Sequence, residues 1–246
     1  MKRRLVLAGP VMMVVGLCLQ CLAFQPLPAG KSPGDDLREP LQEKKLPPQD
    51  WDAFDHEQDR RWNIDGLLDR LDIRPGQMIG DLGAGWGYLT IKLARRVSPG
   101  GRVYAEDINT RFLKALEARV LERGLSNVEI IRGGEYEPGF PAGGLDMIVM
   151  RAVIQFIDDR PRFLRAACDG LKDDGRFVLI EGESAESSSD DGVIGSGRLP
   201  TRKGFLEIFR RAGLVLVSTE MIEDREPSRV GAAEMTVFVL RRAPKP

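Results

Sequence analysis

Apolar residues in this 246-residue chain gather into short runs whose period changes along the sequence. Runs at 78–82, 102–107, 128–132, 145–150 and 177–181 read as strands, and the one at 145–150, following Gly143-Gly144, has the continuous apolar character of a buried parallel strand. Between them, helical spacing covers 88–97 and 110–123, the second closed by Gly124. Asp158 or Asp159 caps a further helix, with Pro161 in its first turn and Gly170 beyond its end. A helix at 201–212 stops before Gly213, and two last strands, 214–222 and 235–241, share a short polar link that favours antiparallel pairing. A loop rich in Ser, Gly and Asp fills 183–200. Strands alternating with helices predict an α/β fold, a doubly wound domain over 51–246 with helices on both faces and ligands beyond the carboxyl ends of its strands.

The first fifty residues follow another pattern. Lys2-Arg3-Arg4 precedes a mostly apolar stretch, 5–24, in the charge-then-hydrophobe order of an export signal. Its length approaches a membrane span, so besides a mis-set start codon two readings stand: a cleaved signal peptide, 1–24, or an uncleaved membrane anchor. Either places the remainder in an exported compartment such as a bacterial periplasm or cell envelope. Residues 25–50, with Pro26, Pro28, Pro33, Pro40, Pro47 and Pro48 among charges, form a linker too polar to order itself. From Trp51 onward, Trp51, Phe54, Trp62, Ile64, Leu67, Leu68 and Leu71 recur at roughly helical spacing. They predict one or two amphipathic helices whose aromatics either pack on the sheet edge or form a lid over a ligand.

Composition narrows the chemistry. A net charge of −1 shows no basic excess, so no nucleic-acid partner is expected. Of three cysteines, Cys18 and Cys21 lie in the leading segment, and Cys168, beside Ala166 and Ala167, reads as a small core residue. One body cysteine excludes a disulfide framework and a cysteine-rich metal site. The single histidine, His56, disfavours a histidine zinc site or a Ser-His-Asp triad, and no metal is expected.

The distinctive stretch is Asp81-Leu82-Gly83-Ala84-Gly85-Trp86-Gly87, a strand end, a glycine turn and the start of a helix. Glycines let the backbone approach a ligand, and the helix N-terminus offers free N–H groups. The dinucleotide fingerprint needs its third glycine one residue later than Gly87, where Tyr88 stands, which disfavours a nicotinamide-dependent dehydrogenase. Asp107 ends the second strand about twenty residues on, where a carboxylate accepts ribose hydroxyls; side-chain alternation turns Glu106 the other way.

The spacing D-x-G-x-G-x-G resembles motif I of the class I S-adenosylmethionine-dependent methyltransferases, of the UbiE-like type. Three further stretches are similar to that family in the right order: 127–135 (NVEIIRGGE) to its third-strand motif, 145–150 (LDMIVM) to its fourth, and 171–180 (LKDDGRFVLI) to its turn into the fifth strand, with Asp173 and Asp174 where Pro and Gly are usual. The resemblance covers about residues 60 to 240. It implies a seven-stranded Rossmann-like sheet of order 3-2-1-4-5-7-6 with strand seven antiparallel, and S-adenosyl-L-methionine as cofactor. It places Asp81 and the amides around Gly83, Gly85 and Gly87 at the methionine end, Asp107 at the ribose, Ile108 on one adenine face and Glu135 at the adenine edge. Arg151 would line the boundary between cofactor and acceptor; the other reading makes it a surface or helix-dipole partner.

Relatives often carry histidines just after strand four, where this chain has Val153-Ile154-Gln155-Phe156, so no catalytic base is identified. No N-P-P-Y-type motif follows that strand, and arsenic methylation is disfavoured by the lone Cys168. The expectation is methyl transfer to a small-molecule or lipid-like acceptor. Its alternative is a catalytically silent cofactor-binding or scaffold protein of the same fold.

Overall fold

Alternation along the central strands explains why one sheet carries helices on both faces. The structure, a computed structural model, describes residues 50–184, 192–195, 197–225 and 234–244. Its strands are β1 (Met78–Leu82), β2 (Arg102–Asp107), β3 (Val128–Arg132), β4 (Leu145–Arg151), β5 (Leu171–Glu181), β6 (Leu214–Glu223) and β7 (Glu234–Arg242). They lie in the order β3-β2-β1-β4-β5-β7-β6. β1 to β5 pair in parallel, and β7 runs antiparallel to both β5 and β6, as the resemblance implies.

β4 sends Met147 and Val149 to one face and Ile148 and Met150 to the other, all fully buried. β5 divides Val178 and Ile180 from Phe177 and Leu179 in the same way. The first face is covered by α2 (Ile64–Arg70) and α3 (Tyr88–Val97), the second by α5 (Arg160–Cys168) and α6 (Arg202–Ala212). α4 (Thr110–Glu122) packs Leu116 against Ala84 and Ala105. Each such buried aliphatic or Phe side chain contributes about 1.5–3 kcal/mol. Cys168 lies in this core, and burial pushes its thiol up to about 12.

Sheet order reverses between β1 and β4, so their following connections diverge and leave a crevice at the carboxyl edge. Three caps fix helices around it. Asn109 accepts the Arg111 amide at 2.9 Å, Asp159 rather than Asp158 accepts that of Arg162 at 3.1 Å, and Thr201 accepts that of Gly204 at 3.0 Å.

Two expectations need correction. Strand five begins at Leu171 rather than Phe177: Leu171 pairs with Leu145, but Met147 pairs with Arg176, so 172–175 form a bulge inside the strand instead of a turn before it. Gly175 suits the bulge because a Cβ there would lie 3.0 Å from the carbonyls of Leu145 and Lys172. Asp50, assigned to the linker, instead caps α1 (Trp51–Arg61) by accepting the Ala53 amide at 2.9 Å. The expected leader 1–24, the rest of the linker, and residues 185–191 and 196 of the polar loop lie outside the described residues. Among the described residues, no helix is long and apolar enough to cross a membrane.

Candidate functional site

Glycine serves three different purposes in the turn after β1. Gly83, Gly85 and Gly87 all have φ in the left-handed region, at 73°, 54° and 85°. A Cβ on Gly83 would collide with Val153, and one on Gly87 with Leu116. Of the three, only Gly85 could carry a Cβ with no other atom within 4 Å of it. The expectation that all three keep a ligand path clear is therefore corrected: Gly83 and Gly87 admit neighbouring side chains of the fold, and Gly85 faces open space. Gly87 also begins α3 without a side-chain cap, leaving that helix end to backbone donors.

The acids beneath the turn hold it in place. Gly85 N donates to Asp107 at 2.9 Å, and Asn109 N donates to the other oxygen of the same carboxylate at 2.8 Å. Gly83 N donates to Glu106 at 3.3 Å. Alternation does separate Glu106 from Asp107, yet both are buried at the carboxyl edge, because Gly133 leaves room where any Cβ would strike the Glu106 carboxylate. Asp81, also buried, accepts the Thr90 hydroxyl at 2.6 Å. Burial raises all three carboxyls: Asp81 to about 7, Glu106 to about 8, and Asp107 above its ordinary value. The charge of Asp107 adds to the rise at both neighbours, while the Thr90 hydroxyl and the turn amides oppose it. A cationic ligand bearing hydroxyls would satisfy this donor-poor cluster.

Ile108, 39% exposed, stands at the rim just past β2. Glu135 is half-buried on the bend following β3 and is not free of partners. Asp81, Gly83, Gly85 and Asp107 thus come together around the turn; Ile108 and Glu135 flank it on adjoining loops.

Arg151, at the end of β4, is not a surface group. Its Nη2 donates to Gln58 Oε1 at 3.2 Å, its guanidinium stands 5.6 Å from the Tyr88 ring, and its Nε is buried without a partner. Burial lowers its pKa; Tyr88, Glu181 and Asp81 favour its charge, and Arg61 opposes it. The next residue, Ala152, has φ 56°, a strained value for alanine that turns Val153 beneath Gly83. Beside it, Glu181 ends β5 buried, and its Oε1 accepts the Gly182 amide at 3.1 Å. Burial pushes Glu181 up to about 7, with the amides of Gly182, Ile154 and Val153 and the Arg151 charge holding it back.

Over this edge lies α1. Trp51 and Phe54 meet Trp86 of the glycine turn at 6.2 and 5.8 Å, and Trp86 meets Phe112 at 5.3 Å. One end of α1 is fixed by Arg119, which donates to Asp55 at 2.6 Å and to the Trp86 carbonyl at 2.7 Å and stands 4.6 Å from the Trp51 ring. The other is fixed by Arg61 pairing with Asp224 beyond β6. The aromatic stripe therefore divides: α1 covers the turn, while Trp62, Ile64, Leu67, Leu68 and Leu71 enter the core. His56 is exposed on α1.

On the other side of β4, fully buried Arg160 donates to the carbonyls of Ile154, Gly192 and Arg198, pinning the described part of the polar loop beside the 3-10 turn Ile154–Phe156. Phe156 and Ile194 stay 40% and 48% exposed there. Sequence reasoning set Glu106 aside on alternation alone and missed Arg119, Arg160 and Glu181. An acid closing the apolar run Phe177-Val178-Leu179-Ile180 was the available signal for the last.

A sheet of this order, with a left-handed glycine turn after β1 and a buried acid closing β2, defines the class I methyltransferase fold. The chain belongs to the ubiE/COQ5 methyltransferase family, whose model matches residues 51–189. It is 36% identical over 113 residues to nocamycin O-methyltransferase of Saccharothrix syringae, covering 46% of this chain and 40% of that protein. It is 33% identical over 115 residues to the ubiquinone/menaquinone biosynthesis C-methyltransferase UbiE of Vibrio parahaemolyticus, covering 46% and 44%. The chain thus matches under half the length of these curated relatives. Among solved structures, a SAM-dependent methyltransferase from Aquifex aeolicus shares the fold with a TM-score of 0.64 at 19% identity, covering 80% of this chain and 99% of that one.

Proposed function

We propose that this protein binds S-adenosyl-L-methionine at the glycine turn and transfers its methyl group to a small-molecule or lipid-like acceptor by in-line displacement. The observation that carries this reading is the open face of Gly85, whose amide donates to the buried Asp107 carboxylate, in the turn that follows buried Asp81, in a chain of a methyltransferase family. Asp81 and the turn amides hold the cationic methionine end, Asp107 the ribose, and Ile108 and Glu135 the adenine, while Arg151 borders the acceptor. When bound, the cofactor supplies an activated methyl on a sulfonium. The protein then has to align the acceptor and keep water out. α1 suits the second task, since its aromatics close over the turn. The exposed Phe156 and Ile194 suit an acceptor with an apolar part.

Calorimetric titration of the full chain with S-adenosylmethionine and S-adenosylhomocysteine tests the reading; no heat at millimolar ligand would overturn it. A second reading, binding without turnover, is favoured by the lack of histidine near β4. Cofactor binding with no S-adenosylhomocysteine formed on any acceptor would select it. We also propose that residues 1–24 direct export or anchor the chain to a membrane. Fractionation of expressing cells checks this, and recovery of the untrimmed chain in the cytosol would sink it.

A further inference from the structure

The last strand of the sheet, β6, has β7 on one side and, among the described residues, no strand on the other. Its outer N–H and C=O groups form a row that water or another strand has to meet, and natural proteins blunt such a row with charge, proline or a covering segment. β3, at the opposite edge, follows that habit: it carries Glu129, paired with Arg102, and the exposed Arg132. β6 does not. From 214 to 219 it reads Leu-Val-Leu-Val-Ser-Thr, without a charge. Val215, Val217 and, further on, Met221 are 48%, 56% and 60% exposed. The register on β7 passes from Leu216 to Ser218, so Val217 stands in a bulge, an apolar side chain where a protected edge would carry a charge. Arg70 of α2 reaches Glu220 and Arg202 of α6 reaches Thr219, each from the helices on one face rather than along the edge.

We propose that β6 is the interface of a two-fold dimer, in which the β6 strands of two copies of this chain pair antiparallel and join their sheets into one.

Charge along the β6–β7 ribbon selects a second copy as the partner. Arg241 and Arg242 of β7 stand opposite Val215 and Leu214, and Glu234 stands opposite Glu223. Glu220 is already paired with Arg70, and Arg242 with Asp173. That leaves exposed Arg241 at one end of the ribbon and exposed Glu223 and Glu234 at the other. Arg210 and Arg211, which share Glu207, add to the basic end. Past the acidic end come Asp224, held by Arg61, and then Arg225. Antiparallel pairing sets the basic end of one copy beside the acidic end of the other and lays the uncharged middles together. Parallel pairing would set like charges side by side, at a cost. A two-fold contact uses the same patch on both copies and closes on itself, so both open edges are covered at once.

Sedimentation velocity of the full chain tests this, and wild-type protein should sediment as a dimer at micromolar concentration. Val217→Lys puts a charge into the edge and should raise the dimer dissociation constant by about tenfold or more, with an unchanged circular dichroism spectrum. If that variant does not fold, Val215→Lys takes its place. Glu223→Lys and Arg241→Glu should each weaken the dimer. Combined, they should restore it to within about threefold of wild type, because the two ends then attract again with their signs exchanged. Wild-type protein that stays monomeric overturns the proposal. So does a dimer that survives a lysine at the edge, which would be held by the leading segment or another surface, and so does a double charge variant no tighter than the singles.

Discussion

Gly85 and Gly87 stand two residues apart in the same left-handed conformation, and substitution at each strikes a different property. At Gly85 an added side chain enters open space, so Gly85→Val should leave a folded protein with no measurable affinity for S-adenosylhomocysteine. The backbone strain of a non-glycine residue there costs only about 1–2 kcal/mol. At Gly87 the same strain is joined by a collision with Leu116, and overpacking adds about 1–3 kcal/mol. Gly87→Ala should thus lower the unfolding midpoint, and pairing it with Leu116→Ala should recover part of the loss, a coupling that denaturant titration of the two singles and the double would reveal. Equal effects of both glycine substitutions on affinity alone would contradict this division. Asp107→Ala removes the acceptor of the Gly85 and Asn109 amides as well as a ribose partner. Calorimetry should show binding weakened by about 1–3 kcal/mol. The types and positions of Asp81, Gly85 and Asp107 were legible in the sequence. That Gly83 and Gly87 answer to Val153 and Leu116 was not, because those partners are brought in from the turn after β4 and from α4.

At the scale of elements, what could be read followed how local the cause was. Mostly apolar runs marked β1 and β4, and caps marked α4 and α5, because both signals lie within the element itself. The bulge in β5 was hidden: Lys172-Asp173-Asp174-Gly175 has turn chemistry locally, and only pairing with β4 shows that the strand has already begun. Glu106 and Glu181 were equally hidden, since alternation says which way a side chain points but not that a distant glycine or a neighbouring strand encloses it. The division between α1 and α2 was left open for the same reason. α1 buries none of its residues fully and is held by its two ends and its aromatic contacts. Arg119→Met should therefore release it locally: the side chain is fully buried, and removing one member of a buried ion pair costs about 3–5 kcal/mol. Hydrogen exchange of the amides in 51–61 should accelerate by about tenfold or more, with β1 and β4 unchanged. Uniform acceleration across the sheet would mean that α1 is part of the core rather than a cover over the site.

Across the whole molecule, a net charge of −1 conceals an uneven distribution, with Asp81, Glu106, Asp107 and Glu181 all buried along one edge of the sheet. The order of strands puts them there, because β1 carries Asp81 one residue before its end, β2 and β5 end in acids, and the three run parallel. Their folded pKa values lie above the ordinary ones, at about 7 for Asp81, about 8 for Glu106 and about 7 for Glu181. An acid raised in this way contributes stability fully present below its unfolded pKa and lost as pH rises through its folded pKa. Asp65 and Glu207 are shifted down, so their contribution disappears only toward acid pH. The ligand-free protein should accordingly melt at progressively lower temperature as pH climbs from about 5 to about 8. A cationic ligand beside Asp81 favours the ionised carboxylates and draws those pKa values down. Binding near neutral pH should then release protons, more for S-adenosylmethionine than for S-adenosylhomocysteine, whose sulfur carries no charge. Titrations at pH 7 in buffers of different ionisation enthalpy measure that release directly. Equal heats in all buffers would show that the ligand does not meet the buried acids, and the site would have to be sought away from the glycine turn.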